Sequence, residues 1–208
     1  MILGIPVYEG VNLLDVAGPW EMFNWVDKKF GLETLIISQD GHPVTAVNGF
    51  HFNADVSFDN APPLDILWVP GGSSDALSGI MKDPASPYLA YLQQIAAAAK
   101  WVCSVCEGAL LLARAGLLDG HQATTHWDAL KCLQRFPEID VVLTHPRWVV
   151  SGNRLTGGGI SSGLDESLQL ITLIYGPEAA AEVQLITEYF PNPPNFVIPA
   201  AEDCPISW

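Results

Sequence analysis

Positive charge is what this sequence has least of. Nine lysines and arginines stand against 23 aspartates and glutamates, a net charge of −14 over 208 residues. A field of that sign repels phosphate backbones and anionic membrane surfaces, so neither nucleic acid nor a membrane is expected as a partner, and a small neutral substrate suits the surface better. Long apolar runs are missing too. Ile95–Ala99 and Ala109–Ala113 fall far short of the roughly 20 residues a bilayer demands. The first residues, Met1-Ile-Leu-Gly-Ile-Pro-Val-Tyr8, carry no basic stretch, so a secretory leader is not expected. Cysteine is scarce: four in the chain, Cys103 and Cys106 close together, in no pattern that resembles a disulfide framework. The cytoplasm is the expected compartment. Charged residues are only 15% and apolar ones 49%, too apolar a mixture for disorder and enough for a core on both faces of a sheet.

What is present is alternation. Ile2–Val7, Thr34–Ile37, Leu64–Val69, Trp101–Val105 and Ala123–Thr125 read as strands, several of them almost wholly apolar, as central parallel strands covered on both faces are. Pro19–Val26, Pro87–Ala99, Gly108–Ala115 and Trp127–Phe136 read as helices, with Pro19 and Pro87 at first positions, where the missing N–H costs nothing. Such alternation implies right-handed crossovers and a doubly wound α/β sheet. Trp148–Thr156, with Ser151-Gly152-Asn153 in its middle, reads as a hairpin. From Pro191 onward five prolines exclude a long helix or a central strand, so 191–208 reads as an extended arm on one domain spanning 1–208.

The segment richest in chemistry is Trp101-Val-Cys-Ser-Val-Cys-Glu-Gly-Ala-Leu-Leu-Leu-Ala113. A buried strand runs into Cys106 and a helical pattern starts directly after it. Ser104 and Gly108 supply the small residues that so sharp a reversal needs, in the manner of a nucleophile elbow. That turn places Cys106 at the carboxyl end of the sheet, where open α/β folds bind ligands. It should aim a helix N-terminus at the sulfur, favouring the thiolate, and leave the N–H groups of Glu107 and Gly108 free for developing negative charge. Cys103-x-x-Cys106 has the spacing of redox and zinc pairs, but Cys103 falls within the strand and no second such pair follows, so no metal site is expected.

Other segments end at the same edge. Asp15 or Glu21, after the first strand, could serve as proton donor or base beside Cys106. Gly71 and Gly72 close a strand and would let backbone N–H groups approach a ligand. His126 follows Thr124-Thr125 and would sit on the ligand side, with less weight than Asp15. Thr156-Gly-Gly-Gly159-Ile160 is a glycine-rich loop before a helix, without the Gly-Lys-Ser/Thr of a nucleotide loop.

Taken together, Leu14-Asp15-Val-Ala-Gly18-Pro19, Val69-Pro70-Gly71-Gly72, Ser104-Val-Cys106-Glu-Gly108-Ala109, Ala115-Gly-Leu-Leu-Asp-Gly120, Ala123-Thr-Thr-His-Trp127 and Leu155-Thr-Gly-Gly-Gly-Ile160 resemble the ThiJ/PfpI superfamily, and within it the isonitrile hydratases. The resemblance covers about residues 2–190. It implies a flavodoxin-like fold, a homodimer, no metal or organic cofactor, and hydration of an isonitrile to an N-substituted formamide. Cys106 would attack the terminal carbon and Asp15 would move the protons. Gly71, Gly72, Gly108, His126 and Ile160 would border the substrate. One position departs: the hydratases carry threonine directly after the nucleophile, where this chain has Glu107. A carboxylate there raises the thiol pKa if ionised, or takes over the handling of water. Other readings are a hydrolase or glyoxalase acting on ketoaldehydes or peptides, and a non-catalytic ligand-binding or redox-sensing module.

Overall fold

The computed structural model describes residues 1–191 and 203–208, and for 27–29 the backbone alone. β1 (Ile2–Pro6) leads through α1 (Leu13–Phe30) to β2 (Glu33–Ser38). A small antiparallel pair, β3 (Val44–Thr45) and β4 (His51–Phe52), precedes β5 (Val56–Ser57). β6 (Ile66–Val69), α2 (Ser74–Lys82), α3 (Pro87–Ala96), β7 (Trp101–Ser104) and α4 (Gly108–Arg114) form the middle of the chain. β8 (Gln122–Ala123), α5 (Leu130–Leu133) and β9 (Asp140–Val141) make an outlying unit. β10 (Trp148–Ser151), β11 (Arg154–Gly157), α6 (Ser162–Tyr175) and α7 (Pro177–Thr187) follow.

Seven strands form one sheet in the order β10-β11-β7-β6-β1-β2-β5, all neighbours parallel except the β10–β11 hairpin. β6 explains its central place: Ile66, Leu67, Trp68 and Val69 are all buried, and only a strand covered on both faces can hide four consecutive apolar side chains. One covering layer is α1, α6 and α7; the other is α2 to α5. Pro87 stands at the start of α3, where Ser86 Oγ accepts the Leu89 N–H at 3.4 Å.

Four expectations need correcting. Pro19 does not open the first helix but lies inside α1, which begins at Leu13. Proline cannot donate to the carbonyl four residues back, here Asp15 O, and Trp68 Nε1 donates to that carbonyl instead at 3.2 Å. Ala123–Thr125 is not a strand of the central sheet: Gln122 and Ala123 pair with Asp140 and Val141 in a separate two-stranded sheet. Trp127–Phe136 is a single 3₁₀ turn, 127–129, followed by the one-turn α5. Finally, two of the cysteines are joined, Cys132 to Cys204, with Cα atoms 4.8 Å apart. That bond ties the chain end to α5, where Ile206 is buried and Trp208 stacks on Phe136. The middle of the proline-rich arm, 192–202, lies outside the described residues.

Candidate active site

The elbow is built by close approach. At Gly108 a Cβ would stand only 2.9 Å from the Val69 carbonyl carbon and 3.0 Å from that of Pro70, so no larger residue lets α4 start against the end of β6. The turn forces Cys106 to φ 56°, a left-handed conformation that costs a non-glycine residue about 1–3 kcal/mol. Its backbone is pinned on both sides: its N–H donates to Gly158 O at 2.8 Å, and its carbonyl accepts from Thr125 Oγ1 at 2.8 Å. Gly158 comes from the loop after β11 and Thr125 from the segment after β8, so two distant pieces of chain hold one residue in place.

Asp15 approaches from the first turn of α1 and is 0% exposed. The Gly71 N–H donates to its Oδ2 at 2.9 Å, and the Cys106 thiol and Asn12 lie close enough to the carboxylate to lower its pKa. Asn12 Nδ2 also lies 3.8 Å from Cys106 Sγ. The Glu107 carboxylate, next in the chain, also bears on the sulfur and raises its pKa. Glu107 Oε1 lies 3.5 Å from His126 Nδ1, while Oε2 is buried without a partner among the described residues, as is Asp15 Oδ1. Gly71 is required where these acids meet. A Cβ there would sit 2.7 Å from Glu107 Oε2 and 3.0 Å from Asp15 Oδ2.

Burial dominates the electrostatics. It pushes the Asp15 carboxyl up to about 8, with the Glu107 charge adding to the rise and the Gly71 N–H opposing it. The Cys106 thiol is 1% exposed and is pushed well above its ordinary range, first by burial, then by Asp15 and Glu107. Of the leading influences only the Ile160 backbone N–H works the other way. The expected depression of the thiol by a helix end is therefore overturned. Gly108 N–H is likewise not free for an oxyanion, since it donates to Val105 O at 3.0 Å.

Asp15, Gly71, Cys106, Glu107, Gly108 and Ile160 thus converge, and His126 reaches them through Glu107. Gly72 lies apart, where a Cβ would meet Gly10 O at 2.6 Å and the Tyr8 ring. Glu21 is exposed and accepts from Trp25 Nε1 at 2.9 Å on the outer face of α1. Asn12, Thr125 and Gly158 went unassigned in the sequence reading, although each stands inside or beside a quoted motif. A cavity of about 340 Å³ opens beside His126, lined also by Trp127, His145, Arg147 and Ile160. For a cation, Cys106, Glu107 and His126 offer donor atoms that all lie within 4.8 Å of one another.

A cysteine held in left-handed backbone between strand and helix, with a buried acid against its sulfur, defines a flavodoxin-like α/β protein of the nucleophile-elbow type. The chain belongs to the DJ-1/PfpI family, whose model matches residues 3–173. It is 35% identical over 192 residues to an isonitrile hydratase of Pseudomonas putida, covering 92% of this chain and 80% of that one. It is 30% identical over 87% of its length to the HTH-type transcriptional regulator GbdR of Pseudomonas aeruginosa, of which it spans only 48%. Among solved structures, a ThiJ/PfpI family protein from Pseudomonas syringae superposes with a TM-score of 0.83 at 33% identity, covering 93% of this chain and 77% of that one.

Proposed function

We propose that the protein hydrates an isonitrile, R–N≡C, to an N-substituted formamide. The observation that carries this reading is the buried Asp15 carboxyl set against the buried Cys106 thiol, in a chain 35% identical to an isonitrile hydratase. Asp15 gives its proton to the terminal carbon as the sulfur bonds to that carbon, and the thiol proton passes to the carboxylates, so that S–H adds across carbon overall. The product is a thioimidate, R–N=CH–S–Cys106. Water then adds across the C=N bond, one of its protons passing through a carboxylate to the nitrogen; the C–S bond breaks, the remaining hydroxyl proton passes to the sulfur, and R–NH–CHO leaves. Glu107, where the hydratases carry threonine, lies 3.5 Å from His126, which borders the cavity, and is the acid we assign to that water. A neutral apolar substrate matches both the net charge of −14 and a cavity bordered by Trp127 and Ile160.

The test is incubation with cyclohexyl isocyanide, with formamide followed by proton NMR. Formamide should accumulate with the wild type and not with Cys106→Ala. No turnover from protein whose Cys106 titrates as a free thiol overturns the reading. A homodimer belongs to the same proposal. Trp20 and Phe50 are exposed and border one apolar depression of about 260 Å³, a surface a second copy would cover; sedimentation velocity at micromolar protein checks it. A cytoplasmic home is also part of the reading. The Cys132–Cys204 bond speaks against it, because structural disulfides persist mainly in oxidising compartments, and cell fractionation decides.

A further inference from the structure

Cys106, Glu107 and His126 present a sulfur, a carboxylate oxygen and an imidazole nitrogen within 4.8 Å of one another. Two adjacent residues of the elbow supply the first two, and the segment after β8 supplies the third, so fold and not sequence proximity brings the set together. The Glu107–His126 edge already measures 3.5 Å. Donors on a tetrahedral zinc ion, at about 2.0–2.3 Å from the metal, stand roughly 3.3–3.8 Å apart, so the sulfur has to close in by about 1 Å.

Buried carboxylate oxygens without partners point to a cation here. Asp15, wholly buried, touches Cys106 and leaves Oδ1 without a partner, and Glu107 Oε2 is buried in the same condition. Three acids, Asp15, Cys106 and Glu107, therefore converge, and among the described residues no lysine or arginine pairs with any of them. An uncompensated acidic cluster in low dielectric attracts a divalent ion strongly, and mixed sulfur, nitrogen and oxygen donors select a borderline-soft one over magnesium or calcium.

We propose that Cys106, Glu107 and His126 form a zinc site of three protein donors, with the fourth position open, and that an ion there blocks the nucleophile reversibly. On binding, the Cys106 S–H bond breaks and its proton leaves to solvent as the zinc–sulfur bond forms. His126 binds through Nδ1, giving up the 3.4 Å hydrogen bond it accepts from the Asp128 N–H, and Glu107 binds as carboxylate. No electron is transferred. The site does not depend on isonitrile chemistry, so it and the hydratase reading can fail separately.

Cobalt(II) titrated into chelator-washed full-length protein is the probe. One equivalent should bind, with a thiolate-to-cobalt charge-transfer band in the near ultraviolet and the visible bands of a tetrahedral ion, and zinc should bleach both. The band should vanish in Cys106→Ser and persist in Cys103→Ser. Glu107→Gln and His126→Ala should each weaken binding by at least the roughly tenfold that losing a hydrogen-bond partner of a ligand costs. X-ray absorption at the zinc edge of the wild-type protein, which needs no variant to fold, should show one sulfur among nitrogen and oxygen neighbours. No charge-transfer band, a band that survives Cys106→Ser, unchanged affinity in both other variants, or a zinc shell without sulfur overturns the site.

Discussion

Asp15 and Glu107 both contact one thiol, yet a thiol has one proton to give. With Asp15 pushed up to about 8, its carboxyl keeps a proton at neutral pH and has one to give to a bound substrate, while its charge and that of Glu107 both hold the thiol protonated. Burial, with the Glu107 charge adding to it, is what makes Asp15 the proton-bearing acid of the site. Asp15→Asn should therefore lower kcat for isonitrile hydration by about 10²–10⁴-fold while leaving the thermal midpoint unchanged or higher, since it removes a buried ionisable group; paired kinetics and calorimetry check this. Gly71→Ala drives a methyl against Glu107 and Asp15 and should cost about 1–3 kcal/mol in a urea melt along with most of the activity. Glu166 is a separate case. It is wholly buried in α6 with neither carboxyl oxygen hydrogen-bonded among the described residues, and burial raises its pKa well above the ordinary value. A folded value above the unfolded one means that Glu166 burdens the fold least below about pH 4 and increasingly as pH rises toward its folded value. Glu166→Gln should accordingly gain on the wild type in urea melts as pH goes from 5 to 9; parallel profiles speak against the sign.

α1 shows how an element can hide from local reading. Proline is a good first residue of a helix, and by that rule Pro19 marks a start; the helix instead begins a turn and a half earlier. The reason lies 53 residues away in β6, where the Trp68 indole supplies the donor that Pro19 lacks, and no local pattern reveals such a partner. Trp68→Phe keeps most of the buried ring and removes the donor, leaving the Asp15 carbonyl bare. A loss of about 1–3 kcal/mol in chemical denaturation is expected, with reduced turnover because the same residue carries the acid. By contrast, β1, β2, β6, β7 and the β10–β11 hairpin were legible because apolar runs and turn residues are local signals. The elbow was legible for the same reason: Ser104, Cys106 and Gly108 lie within five residues. Its surroundings were not, since Thr125 and Gly158 meet Cys106 only through the fold. The pull of Glu107 and burial on the thiol outweighs the helix end for a physical reason: α4 spans only seven residues, and the sulfur has almost no contact with water.

At the scale of the whole molecule, the bond between Cys132 and Cys204 closes a loop across 72 positions of sequence. Counting cysteines could not reveal it, because their spacing says nothing of how the arm returns to α5, where Ser78 Oγ, from α2, also donates to Ser207 O at 2.5 Å. Loop closure of that length is worth about 4 kcal/mol in the chain-entropy picture. The doubly substituted Cys132→Ser, Cys204→Ser protein should melt several degrees lower than the oxidised wild type, and a reductant should bring the wild type down to match; coincident melts without reductant contradict this. The two thiols left free, Cys103 and Cys106, are both buried. An alkylating reagent must therefore wait for the protein to open before it can react. Under conditions where the trapping step is fast, the rate of mass gain at Cys106 is no longer a measure of thiol reactivity but a clock for the breathing of the pocket, and it sets a ceiling on how often any substrate can enter.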